Sequence, residues 1–128
     1  MIYLDTSVAL AHLLGERRHP PDALWTEPLI SSRLLQYECW VRLQAAGRAA
    51  THGAALVALL DRVAFVELTP PVLTRALDPF PVAVRTLDAL HLASLEFLRA
   101  QGQPMRLASY DDRMREAATH LGCPLADV

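Results

Sequence analysis

The chain is predicted to adopt an α/β fold, a short, mostly parallel sheet covered by helices on both faces, in one domain over residues 1–128. Three observations predict it. Short apolar runs alternate with longer segments of helical spacing, as strands and crossover helices do. Glycines and prolines fall where those helices would have to stop or start. The hydrophobic fraction is 52% in 128 residues, enough to bury a real core.

Ile2 to Leu4 reads as a buried strand, followed by a helix that Thr6 or Ser7 can cap and that ends at Leu14 and Gly15. Arg17 to Pro21 is a basic connection, and Pro21 suits the first turn of a short helix through Trp25. Leu29 and Ile30 form a second strand, after which Ser31 or Ser32 caps a long helix that stops near Gly47. A further helix is expected over Thr51 to Arg62 and a third strand over Phe65 to Leu68.

Pro70 and Pro71 open a short helix that Pro79 and Pro81 end. Thr86 reads as the cap of a helix from Leu87 to Ala100, stopped by Gly102. Met105 to Ala108 is a fourth strand, Asp111 to Leu121 the last helix with Gly122 as its stop, and a final short strand is expected around Leu125. In such sheets ligands bind outside the carboxyl ends of the strands, the edge on which Asp5 and Asp111 fall.

Four carboxylates carry the chemistry: Asp5, Glu38, Asp88 and Asp111. Each lies near a strand-to-helix junction or on an apolar helix, where an ionised group is costly without a positive partner. No lysine is available, because all 12 basic side chains are arginines, so a divalent metal is the economical partner. Magnesium takes hard oxygen ligands, keeps several waters and binds through few carboxylates plus substrate phosphate. That chemistry points to a magnesium-dependent phosphodiesterase.

Each acid also has a plainer reading. Taken alone, Asp5 reads as a cap for the helix that begins at Thr6, and Asp88 as a first-turn acid favoured by the helix dipole. Asp88, His91 and Ser94, however, form a narrow polar stripe on a helix otherwise apolar nearly all round, and such a stripe calls for a partner. Glu38 lies about 9 Å along its helix at about 1.5 Å per residue, beyond capping range. With Leu34, Val41 and Ala45 it is expected to share an inward face, against a surface pair with Arg42 as the alternative. Asp111 and Asp112 are adjacent; Asp111, directly after Ser109 and Tyr110, is preferred as the fourth acid.

Other features exclude classes. A net charge of −2 argues against bulk electrostatic binding to nucleic acid, though arginines beside an acidic cleft are compatible with a nuclease. The missing lysine removes the P-loop and a phosphoacceptor receiver. No Gly-x-Gly-x-x-Gly follows the first strand, and Ser7 stands where a haloacid-dehalogenase-like phosphatase would carry a second aspartate. No histidine pairs with His91 at zinc-protease spacing, so His91 is read as structural or as a support for a ligating side chain. Trp25, Trp40 and Tyr37 are too scattered for a stacking platform, and Tyr37 is expected to pack. Cys39 and Cys123 read as buried free thiols of a reducing cytoplasm, and no segment resembles a signal peptide or a membrane span.

Four segments, Ile2-Tyr3-Leu4-Asp5-Thr6-Ser7, Ser31 to Glu38, Leu87-Asp88-Ala89-Leu90-His91-Leu92-Ala93 and Ser109-Tyr110-Asp111-Asp112-Arg113-Met114, resemble in order and approximate spacing the PIN-domain endoribonucleases, especially the VapC-like toxins of toxin–antitoxin pairs. Any one segment is a weak signal; four in register are a strong one. The resemblance implies a three-layer α/β/α sandwich that cuts RNA with magnesium or manganese. Asp5 and Asp88 would be the main metal ligands, Glu38 and Asp111 would complete the catalytic site, and Thr6 and Ser109 would orient carboxylates. It also implies a homodimer and inhibition by an antitoxin laid along the active-site groove. Arg17, Arg18, Arg85 and Arg113 are left as candidates for phosphate contact. The alternatives are a PIN-like module that only binds RNA or protein, and an RNA-processing nuclease that is not a toxin.

Overall fold

A computed structural model describes residues 1–128. Four strands, β1 (Ile2–Leu4), β2 (Leu29–Ser32), β3 (Val63–Val66) and β4 (Arg106–Ala108), pair in parallel in the order β3-β2-β1-β4. Six α-helices accompany them: α1 (Thr6–Leu14), α2 (Leu34–Ala45), α3 (Ala49–Leu60), α4 (Pro70–Ala76), α5 (Thr86–Ala100) and α6 (Asp112–His120). A short 3-10 turn spans Asp22–Thr26. No helix is long and apolar enough to cross a membrane.

The pleat of β1 divides the core. Ile2 and Leu4 point to one face, with Val8 of α1, Leu35 and Leu43 of α2 and Leu56 of α3. Tyr3 points to the other, with Leu92 and Leu95 of α5 and Met114 and Ala117 of α6. The result is the α/β/α layering expected. Cys39 and Cys123 are free and buried, one in each half of the core.

The helix stops read at Gly15, Gly47, Gly102 and Gly122 all have positive φ. Gly53 serves differently. A Cβ there would stand 3.2 Å from the Trp40 ring, so its absence lets α3 close on α2. The strand expected near Leu125 is a single parallel bridge to Leu107.

Several boundaries differ from expectation, among them those of α3, β3 and α5. Helix α3 runs Ala49–Leu60 rather than 51–62, because Ala49 and Ala50 are good helix formers. Thr51, expected as its first residue, lies inside the first turn and donates its hydroxyl back to the Arg48 carbonyl. The early finish lets β3 begin at Val63, paired with Leu29, two residues before Phe65. Likewise Thr86 is the first residue inside α5, not its cap, which is Arg85.

Strand β1 pairs with β2 on one side and β4 on the other, so the chain's winding reverses beside it. That reversal opens a crevice at the carboxyl ends of β1 and β4, where Asp5 and Ser109 to Asp111 emerge.

Candidate active site

A cleft of about 400 Å³ opens at this crevice, and Asp5, Glu38, Asp88 and Asp111 all line it, with Arg18, Arg42 and Arg85. Chain positions 106 apart are thus brought together by the sheet. Larger hollows elsewhere carry no such acids.

Asp5 sits at the N-cap position of α1 but makes no capping hydrogen bond, which removes the capping reading. Its backbone N–H donates to the Ala108 carbonyl at 3.0 Å, stitching the end of β1 to β4. Its Oδ2 instead accepts two hydroxyls, Ser7 at 2.6 Å and Ser109 at 2.8 Å. Of the two hydroxyls expected beside the acids, Ser109 is hydrogen-bonded to Asp5 and Thr6 is not; Ser7 is the second donor. Thr6 also lines the cleft, and its hydroxyl is buried with no partner in the protein. Ser7 in turn accepts the Tyr110 N–H at 2.9 Å, and Ser109 accepts the Asp111 N–H at 3.0 Å. The loop after β4 is thereby hung on the same hydroxyls that hold Asp5.

Asp111 is both a cap and a cleft acid. Its Oδ1 accepts the Met114 N–H at 3.0 Å, and its Oδ2 accepts from Arg85 at 3.2 Å. Asp112 is exposed and does not line the cleft, so Asp111 is the acid presented there. Asp88 also combines two roles, since its Oδ2 accepts the Arg85 N–H at 3.4 Å at the start of α5 and lies 3.6 Å from the same guanidinium. Burial, then the charge of Asp111 and more weakly that of Asp5, hold the Asp88 carboxyl above the usual range, against the pull of Arg85.

Glu38 reaches the cleft for a different reason than its sequence pattern suggested. Val41 and Ala45, expected beside it on an inward stripe, are exposed, and the buried face of α2 is Leu34, Leu35, Cys39 and Leu43. Glu38 lies at the edge of that face, half-buried, and its Oε1 is 2.5 Å from His91 Nε2. Tyr37, expected to pack, is 62% exposed.

His91 is 1% exposed and is more than a core filler. Its Nδ1 is 2.9 Å from the Tyr3 hydroxyl, which also accepts the Ser32 N–H at 3.2 Å. Burial works to lower the His91 pKa, but the hydrogen bond to Glu38 and the charges of Asp5, Glu38 and Asp88 outweigh it and raise the value above 6.5.

Among the candidate phosphate contacts, Arg18 and Arg85 line the cleft, and Arg17 and Arg113 do not. Arg18 lies over the Tyr110 ring at 4.4 Å. Arg42 lines the cleft as well. Sequence reasoning offered it only as a surface partner of Glu38, and nothing local to it signals the cleft.

No three His, Cys, Asp or Glu side chains close on one point tightly enough to grip a bare ion. The cleft fits a hydrated hard cation instead. Its donors are carboxylate oxygens, one acid has its pKa raised by burial and its neighbours' charge, and a buried hydroxyl is left unpartnered. Asp5 and Glu38 each have one oxygen tied to the protein, which leaves the other to ligate a cation or its water.

The PIN domain family model matches residues 2–119. The chain is also 37% identical over 127 residues to the protein named Ribonuclease VapC46 from Mycobacterium tuberculosis, covering 94% of this chain and 92% of that one. Matches of that extent, over a parallel sheet whose carboxyl edge collects four acids, leave one conclusion: this chain belongs to the PIN-domain family.

Proposed function

We propose that the chain is a metal-dependent endoribonuclease that hydrolyses RNA phosphodiester bonds, acting as one domain and as the toxin of a toxin–antitoxin pair. The observation that carries this reading is the meeting of Asp5, Glu38, Asp88 and Asp111 in one cleft. The naming of a relative as a ribonuclease supports the substrate.

Asp5 and Asp88 would hold magnesium or manganese, with Glu38 and Asp111 completing the shell through waters or a second ion. Bound there, the ion would lower the pKa of an attacking water and neutralise charge on the scissile phosphate. The protein's part is to position. Ser7 and Ser109 set the rotation of the Asp5 carboxylate. Arg18, Arg42 and Arg85 sit at the cleft where phosphates of a single strand would run. Glu38, held by His91, would accept a proton from water.

A small antitoxin laid over the same acids would block RNA directly, and two copies of the chain would form the working unit in the cytoplasm.

The test is cleavage of a mixed RNA pool by protein stripped of any co-purified partner, with magnesium, with EDTA, and with Asp5→Asn. Cutting that needs the metal and is lost in the variant supports the nuclease. A folded protein that neither binds metal nor cuts would replace it with a binding module.

A further inference from the structure

The buried chain Ser32–Tyr3–His91–Glu38 runs from the core to the cleft, and of its members only Glu38 lines the cleft. Its members come from four elements: Tyr3 from β1, Ser32 from β2, His91 from α5 and Glu38 from α2. Tyr3 and Ser32 are 0% exposed. The polarity of the chain is set at both ends. The Ser32 N–H can only donate, so it occupies an acceptor site on the Tyr3 oxygen. Glu38 as a carboxylate can only accept, so the His91 Nε2 must carry a proton directed at Oε1. The Tyr3 hydroxyl at Nδ1 pins the other end of the ring, and the Tyr3 and His91 rings meet edge to face at 87°.

We infer that His91 and Tyr3 are positioning residues for Glu38: the buried relay locks one carboxylate oxygen on His91 and thereby aims the other into the cleft. The inference rests on the nuclease reading and extends it. Three facts favour it over a merely satisfied core histidine. First, the relay ends on a cleft carboxylate and not on a backbone carbonyl. Second, Glu38 stands at the edge of its helix's buried face, where its side chain would otherwise be free to swing to water. Third, Tyr3 lies two residues before Asp5 and His91 three residues after Asp88, so one buried unit references three acid-bearing elements to each other.

The experiment uses the full chain as wild type, Tyr3→Phe and His91→Gln, each also in a Glu38→Gln background. Calorimetric titration with Mn²⁺ alone and the kcat and KM of RNA cleavage are measured for all. Tyr3→Phe keeps the aromatic ring and removes only the hydroxyl, so it decides the matter if His91→Gln does not fold. The expected result is a loss of about 10- to 100-fold in Mn²⁺ affinity or kcat in each single variant. KM should stay within about twofold, and neither change should add to the effect of Glu38→Gln. Nitrogen NMR of the wild-type ring should show a proton on Nε2, with Nδ1 no longer pinned in Tyr3→Phe. Unchanged Mn²⁺ affinity and kcat in a cooperatively folded Tyr3→Phe would overturn the relay, as would losses that add fully to those of Glu38→Gln. A wild type that neither binds Mn²⁺ nor cuts would overturn the nuclease reading itself, and the relay's role with it.

Discussion

Ser109 donates its hydroxyl to Asp5 Oδ2 across 2.8 Å, joining residues 104 positions apart at the carboxyl ends of β1 and β4. The Ser109 oxygen also accepts the Asp111 N–H, so a single buried hydroxyl references two of the four acids. Ser109→Ala leaves that N–H without its acceptor and Asp5 with one hydroxyl instead of two. We expect about 10-fold or more loss of metal affinity or cleavage and a stability cost of about 1–3 kcal/mol. Mn²⁺ titration and urea unfolding of the same preparation check both; full activity would free Asp5 from any dependence on Ser109.

Asp88→Asn should abolish cleavage and leave the metal-free protein as stable as wild type or more so. Burial and the charges of Asp111 and Asp5 already oppose ionisation of Asp88, and the amide removes that opposition. Thermal melts at neutral pH in EDTA measure it. A clear fall in melting temperature would mean that the pairing of Asp88 with Arg85 outweighs the repulsion.

The pH dependence of the metal-free protein has a defined sign. His91 in the folded state titrates above its ordinary 6.5, so the folded protein holds a proton that the unfolded chain releases. Its contribution is fully present below 6.5 and is lost as pH rises through the folded value. His12, whose pKa burial and the positive charge of neighbouring side chains lower, acts in the opposite sense. The His91 share is isolated by comparison: wild type should lose more stability than His91→Gln between about pH 6 and 8. Parallel pH profiles for the two would remove His91 as a source.

Helix α5 is buried over His91 to Leu95 and opens towards its ends, where Leu87 is 40% exposed and Leu90 half-buried. Leu92→Ala should therefore cost about 2–5 kcal/mol, and Leu87→Ala distinctly less. Denaturant unfolding of both tests the depth of α5, and equal costs would contradict it.

Much of this was legible in the sequence because the signals are local. Alternation of strand and helix, the glycine stops and the acids after β1 and β4 each need only a few neighbouring residues, and they sit where expected. What was not legible depends on distant partners. Glu38 was expected inside on a stripe of which Val41 and Ala45 are in fact exposed; it is held instead by His91, 53 positions away. Nothing near His91 announces Tyr3, 88 positions distant, and nothing near Asp5 distinguishes Ser7 from Thr6 until β4 arrives with Tyr110 and Ser109. The two-residue slip at α3 and β3 arose where alanines and a threonine competed for one helix start.

Arg85 bridges two of the acids, at 3.2 Å from Asp111 and 3.6 Å from Asp88, and its side chain is 69% exposed. A cation entering between those carboxylates meets a positive charge already there, so Arg85 opposes metal binding by the free protein. Once a phosphate strand lies in the cleft, the same guanidinium has an anionic partner to turn to. Removing it should separate the two effects. Arg85→Ala is expected to bind Mn²⁺ several-fold more tightly in the absence of RNA and to show a KM for RNA raised by a comparable factor. Calorimetry with the metal alone and steady-state cleavage measure the two independently. Weaker Mn²⁺ binding in the variant would mean that Arg85 holds Asp88 and Asp111 in their ligating positions more than it competes for them.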